Sequence, residues 1–171
     1  MADPEAEFVA FVDVHGTPLL RFAVLLAGDR QAAEDLLQST LEGLYRRWRR
    51  SGAPDDPASY ARTALVNAAR RSWSLRRRSR EQLVDELPEV GVEPEGSDVV
   101  LRRRLFEALG SLPPQQRAVL ALRFFEDRSE AETAALLGVR VGTVKSQTSR
   151  ALQRLRKSPD VLAHLDPALE A

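Results

Sequence analysis

Residues 81–98, EQLVDELPEVGVEPEGSD, hold seven acids, no base, two prolines and two glycines. A segment of this kind carries no apolar stripe at helical spacing, and its prolines and glycines interrupt regular structure. It reads as a linker and divides the chain in two. The chain has 171 residues, which suits two small domains. On both sides almost every segment reads as helix. No stretch alternates apolar and polar residues for long enough to make a strand. The expected fold class is therefore all-α, with two small helical domains joined by an acidic linker.

The first unit begins with residues 8–27, which carry Phe8, Phe11, Val12, Leu19, Leu20, Phe22, Val24, Leu25 and Leu26. Gly16 and Pro18 allow a bend there, and Gly28-Asp29 reads as a stop. Residues 31–50 form the clearest helix, with Ala33, Leu36, Leu37, Leu41, Leu44, Tyr45 and Trp48 on one stripe. That stripe places Trp48 in the core. SGAPDDP then forms a loop, acidic and stiff. Residues 58–80 are helical again, with Tyr60, Ala64, Leu65, Ala68 and Trp73 inside and arginines outside.

The formal net charge is zero, so only the distribution of charge points to a partner. Residues 41–80 hold eleven Arg against three acids; residues 138–157 hold four Arg and two Lys against none. Two basic surfaces on an acidic tether suit two contacts on one polyanion, although arginine-rich helices also serve as plain solvated faces. With no cysteine, the chain makes no disulfide, thiolate nucleophile or Cys-based zinc site. His15 and His164 lack partner motifs and are expected in surface or packing roles. There is no glycine-rich phosphate loop, nucleophile with a base, or metal-ligand spacing, so no enzyme, cofactor or metal is expected. The N-terminus MADPEAEF is unlike a signal peptide, and no apolar run approaches the roughly 20 residues of a membrane span. The expectation is a soluble, cytoplasmic protein without membrane insertion.

Residues 129–155 fit a helix-turn-helix. Ser129 and Glu132 have capping-box spacing, so a helix begins there. Ala131, Ala134, Ala135, Leu136 and Leu137 supply its packing side, and Gly138 suits the left-handed position that ends it. Val139 can fill the angle before a second helix that starts near Val141. At about 100° per residue, Val141, Val144, Thr148, Ala151, Leu152 and Leu155 share one arc of that helix. Lys145, Ser146, Ser149, Arg150 and Gln153 occupy the other side, where short hydroxyls between long cations allow close approach to a major groove. A plain helical hairpin with a polar outer face has the same pattern. Upstream, Leu101, Leu105, Phe106 and Leu109 line a supporting helix. Pro113-Pro114 opens another, whose packing face is Val119, Leu120, Leu122 and Phe125.

The segment LPPQQRAVLALRFFEDRSEAETAALLGVRVGTVKSQTSRALQRLR closely resembles domain 4 of bacterial extracytoplasmic-function (ECF) sigma factors. GDRQAAEDLLQSTLEGLYRRW and YARTALVNAARRSWSLRRR resemble domain 2 of that family, in the same order. The phrase VGTVKSQTSRAL looks like a branch of short actinobacterial members. The resemblance implies a domain 2 over 5–80, the linker over 81–98, a four-helix domain 4 over 99–157, and a tail over 158–171. It implies a protein that joins core RNA polymerase, reads the −35 and −10 promoter elements and helps open the duplex. Its implied partners are core RNA polymerase, promoter DNA and an anti-sigma factor, and the free protein is expected to be a monomer.

Carried over by residue, Asp35, Leu36 and Gln38 match the helix that docks on polymerase. The loop from Ser51 to Ser59 and the helix from Tyr60 match the −10 region. There Asn67, Arg70 and Arg71 are placed to bind the opened strand, Arg76, Arg77 and Arg78 to hold phosphates, and Tyr60 and Trp73 to stack on bases. Trp73 fits a packed position equally well. Lys145, Ser146, Ser149 and Arg150 match the −35 contacts. Arg123 fits either a phosphate contact or a partner within its domain. Three departures stand out: Arg140 where a serine often caps the recognition helix, Gln147 where many members have Arg, and the acidic, stiff APDDP of the domain-2 loop, whose base preference does not carry over from relatives with other loops. Residues 99–157 alone also resemble the output domain of a dimeric helix-turn-helix regulator, which leaves the first unit unexplained.

Overall fold

Each of the three long helices in the N-terminal half begins at an aspartate. Asp3, Asp29 and Asp56 precede α1 (Pro4–Ala27), α2 (Arg30–Ser51) and α3 (Pro57–Ser79). Their carboxylates accept from the backbone N–H of Glu5, Ala32 and Ser59 at 3.0, 2.8 and 2.9 Å. These bonds satisfy N–H groups that a helix start leaves without partners. Pro4 and Pro57 take the first helical position, where a missing N–H costs least. The computed structural model describes residues 3–79 and 107–157, except the side chains of 76–79. The linker 81–98, the tail 158–171 and Leu101, Leu105 and Phe106 lie outside the described residues. The chain divides into two compact units, Met1–Val84 and Asp85–Ala171.

In the first unit α1 packs along α2, and α3 closes against both. Leu19, Phe22 and Leu26 of α1 meet Leu44 of α2 and Leu65 and Val66 of α3 in the fully buried core. An aromatic cluster seals one end. Phe8 meets Trp48 edge-on at 5.4 Å, and Phe11 lies 5.6 Å from the same indole. Trp48 is buried, as its place on the stripe implies. The His15 ring packs 4.9 Å from that of Phe11.

Gly16 and Pro18 do not interrupt α1, which runs through both. Leu19, Phe22, Ala23 and Leu26 are buried along with Phe11, and one continuous helix keeps them in register. Two expectations need correction here. Continuity also makes α1 long and apolar enough to cross a membrane, by length and composition only. Its apolar inward face is nonetheless the core of this unit. Lastly, the inner face of α3 is Ala61, Leu65, Val66 and Ala69, while Tyr60 is exposed.

In the second unit, residues 107–110 are helical and α4 (Pro114–Leu120) comes next. A wide π-helical turn, Ala121–Phe125, extends α4. Then come α5 (Glu130–Leu137) and α6 (Val141–Arg156). Leu112, Leu120, Ala151 and Leu155 form a buried cluster, with Ala108, Leu109 and Leu152 packed on it. Arg117 is buried and donates to the carbonyls of Gly110 and Leu112 at 3.1 and 3.2 Å. It thereby fastens the turn between the two supporting helices.

The π turn overturns the placement of Phe125, which is 51% exposed beside Phe124 at 54%. One extra residue in the turn rotates the side chains beyond it away from the α-helical stripe. The Glu126 N–H reaches back to the Ala121 carbonyl at 3.0 Å, and Asp127 takes a positive φ of 50°. In α5 the buried residues are Thr133, Ala134 and Leu137, while Ala131 and Ala135 face outward. The helix has only eight residues, so its apolar count exceeds the face it can bury. Val141 also differs from expectation: it begins α6 with 40% of its surface exposed.

Candidate nucleic-acid interface

The turn between α5 and α6 is built by local chemistry. Ser129 accepts from the Glu132 N–H at 3.1 Å, and the Glu132 carboxylate accepts from the Ser129 N–H at 2.8 Å. This is the reciprocal capping box. Glu132 is held below the ordinary glutamate pKa, first by the Ser129 backbone N–H, then by its hydroxyl, with Arg128 adding attraction. At the other end Gly138 adopts φ 64°, ψ 37°. The Val139 N–H reaches the Ala134 carbonyl at 3.0 Å and the Gly138 N–H reaches that of Ala135 at 3.3 Å. These two bonds define a Schellman ending, which sends the chain sharply into α6.

α6 buries Val144, Ala151 and Leu155 and turns Lys145, Ser146, Ser149, Arg150 and Gln153 to solvent. All four predicted −35 residues thus share one open face, and the helix carries no acid. Ser146 donates to its own helix at the Thr143 carbonyl, 3.0 Å away. Lys145 lies 3.7 Å from Glu130 of α5, an exposed pair worth little in water. Arg140 starts the helix without a side-chain cap, so the cap is missing, as its identity implies. Arg123 turns inward and donates to the Arg128 carbonyl at 2.6 Å, so its partner lies within its own domain.

In the first unit Tyr60, Asn67 and Arg71 stand seven and four residues apart and share one side of α3. Tyr60 and Arg71 are exposed and Asn67 is half-buried. Half-buried Arg70 flanks that side. Trp73 does not join it. It lies about 140° round the helix from Tyr60, on the side of Ala69 and Val66. There it lines a groove of about 340 Å³ with Asp35, Leu36 and Ser39 of α2 and Arg71 and Leu75 of α3. The structure therefore brings Trp73 beside two predicted polymerase-docking residues. Leu36 is buried at the base of that stripe, whereas Asp35 and Gln38 point outward. Asp35 accepts from Gln31 at 3.2 Å and Gln38 donates to Glu42 at 3.4 Å. The side chains of Arg76, Arg77 and Arg78 lie outside the described residues.

Sequence reasoning missed Asp56. The acidic loop is not one stiff, negative element: both aspartates are exposed, but Asp56 caps α3 through the Ser59 N–H. The D-P pair just before a helical stripe carried that signal. Arg47 was also missed, and spacing gave no sign of it. Its guanidinium lies 5.0 Å from the centroid of the Tyr60 ring.

Two basic helical faces with this order match known proteins. Residues 11–81 match the family model for sigma-70 region 2, and residues 102–155 match that for sigma-70 region 4. The chain belongs to the sigma-70 family of RNA polymerase sigma factors, in its ECF group. The sigma factor is 39% identical to the RNA polymerase sigma-E factor of Streptomyces avermitilis, over 88% of this chain and 84% of that protein. It is 34% identical to the ECF RNA polymerase sigma factor SigL of Mycobacterium tuberculosis, over 86% and 85%. Its fold matches the sigma factor RpoE of Bartonella quintana, crystallised with the anti-sigma factor NepR, with a TM-score of 0.65 and 24% identity over 92% of this chain and 98% of that one. The sigma factor is accordingly a transcription initiation protein that works with core RNA polymerase on promoter DNA.

Proposed function

We propose how this sigma factor divides its work. The α6 face of Lys145, Ser146, Ser149 and Arg150 reads the −35 element in the major groove. The α3 side of Tyr60, Asn67 and Arg71, with Arg70, Arg76, Arg77 and Arg78, takes the opened −10 strand. Asp35, Gln38 and the Leu36 stripe of α2 dock on core polymerase, and Trp73 stands with this group rather than with the −10 face. Units 5–80 and 99–157 are the two binding domains, joined by the linker 81–98. The observation that carries this reading is the open face of α6, a helix that carries no acid, on a chain whose other basic helix lies in a separate unit. Neither contact need be tight, because polymerase makes the second effectively intramolecular.

The protein is read as a cytoplasmic factor with no catalysis of its own, monomeric when free, and held in check by an anti-sigma factor. That last element rests on family resemblance, and the Bartonella protein bound to such a factor supports it. Run-off transcription with reconstituted holoenzyme tests the whole. Promoter-specific transcripts are expected with core enzyme, together with weak gel shifts without it. Tight, dimeric binding to DNA by the free chain, and no transcript with core, would reverse the reading in favour of an autonomous regulator.

A further inference from the structure

We infer that Arg47 is a positioning residue for the Tyr60 ring, holding it ready to stack on a base of the opened strand. This rests on the proposed −10 role of the α3 face. Arg47 is in the last turns of α2, and Tyr60 is in the first turn of α3. The guanidinium carbon sits over the ring at 5.0 Å from its centroid. The Arg47 Nε is buried and has no hydrogen-bond partner among the described residues. Nor does any ion pair among them use Arg47, whereas its neighbour Arg46 pairs with Glu42 at 3.3 Å. A buried N–H left unpaired in that way costs free energy that another contact of the same group must offset. The ring supplies that gain, because a cation over an aromatic face is attracted by its quadrupole.

The arrangement leaves Tyr60 40% exposed, with one face engaged by Arg47. A ring fixed in this way loses less freedom when a base stacks on its open side. The result is a sandwich of base, tyrosine and guanidinium, with a positive charge behind the strand. Arg49 has a similar but looser relation to Tyr45, at 5.9 Å, on a ring that packs against Phe8. It provides an internal control.

The test uses holoenzyme and a promoter with 2-aminopurine in the −10 non-template strand, titrated with wild type, Arg47→Gln, Arg47→Lys, Arg49→Gln and Tyr60→Ala. The expected result is about a fivefold loss of strand affinity for Arg47→Gln, partial recovery in Arg47→Lys and no loss in Arg49→Gln. Combining Arg47→Gln with Tyr60→Ala should be no worse than Tyr60→Ala alone, since without the ring Arg47 has nothing to orient. The inference fails if Tyr60→Ala weakens the strand contact while Arg47→Gln does not. It fails equally if the two losses multiply, since Arg47 would then act on DNA by itself. Weakened assembly with core polymerase, or a lower melting temperature, matching the affinity loss in Arg47→Gln would reduce the residue to a packing role. If Tyr60→Ala has no effect, the −10 reading of this face falls and takes the inference with it.

Discussion

Arg117 is a charged side chain in a core, and its hydrogen bonds explain why it is tolerated there. Two carbonyls at the end of the preceding helix have it as donor. Truncation removes the donor and leaves buried acceptors unpaired. Arg117→Ala should destabilise the second unit by about 2–4 kcal/mol, measured by urea unfolding followed by circular dichroism. Glu132 gives a pH signature of known sign. Its folded pKa is depressed below the unfolded value, so the stability it adds is complete above the ordinary 4.5. That contribution is lost as pH falls through the depressed folded value. Wild type should therefore exceed Glu132→Gln in thermal midpoint at neutral pH, and the gap should close in acid. A gap that persists at the acid end would assign the difference to something other than this carboxylate. The capping box was legible from two residues three apart, because it is local chemistry. The role of Arg117 was not, because its partners depend on how two helices meet across a turn.

Among the elements, α6 is the one whose sequence says most. Its buried and open faces come from a single helical period, and only Val141, at the start of the helix, departs from it. Arg150 stands on the open face next to Ser149 and Ser146. Arg150→Ala should lower transcription from a cognate promoter about tenfold, as one good base contact is worth about 1–3 kcal/mol. Unchanged transcription would remove that residue from the reading face. The π turn after α4 shows where periodicity stops being a guide. Local pattern put Phe125 inward, but the wide turn rotates it out and closes through Arg123 onto the Arg128 carbonyl. Nothing in ALRFF by itself announces an extra residue per turn. In α1, Gly16 and Pro18 allow a bend, yet the helix runs unbroken through both, packed on two neighbouring helices.

For the whole molecule, a chain with two separate basic units should respond to promoter geometry as a linked pair of contacts does. Inserting two base pairs between the −35 and −10 elements turns one contact about the duplex axis relative to the other. Transcription should fall at least tenfold, while gel-shift affinity of holoenzyme for the −35 half alone stays the same. Equal activity at both spacings would mean the units do not act together. The composition-level outline of this plan was open to reading in one dimension: helical periodicity, an acidic break, and two clusters of cations. Those are properties of neighbours along the chain, and short-range chemistry is enough to set them. Only the tertiary structure decided that Trp73 lines a groove with Leu36 of α2 and that Arg47 meets Tyr60. Such pairings depend on where one helix crosses another, and that is set by the packing of side chains far apart in sequence.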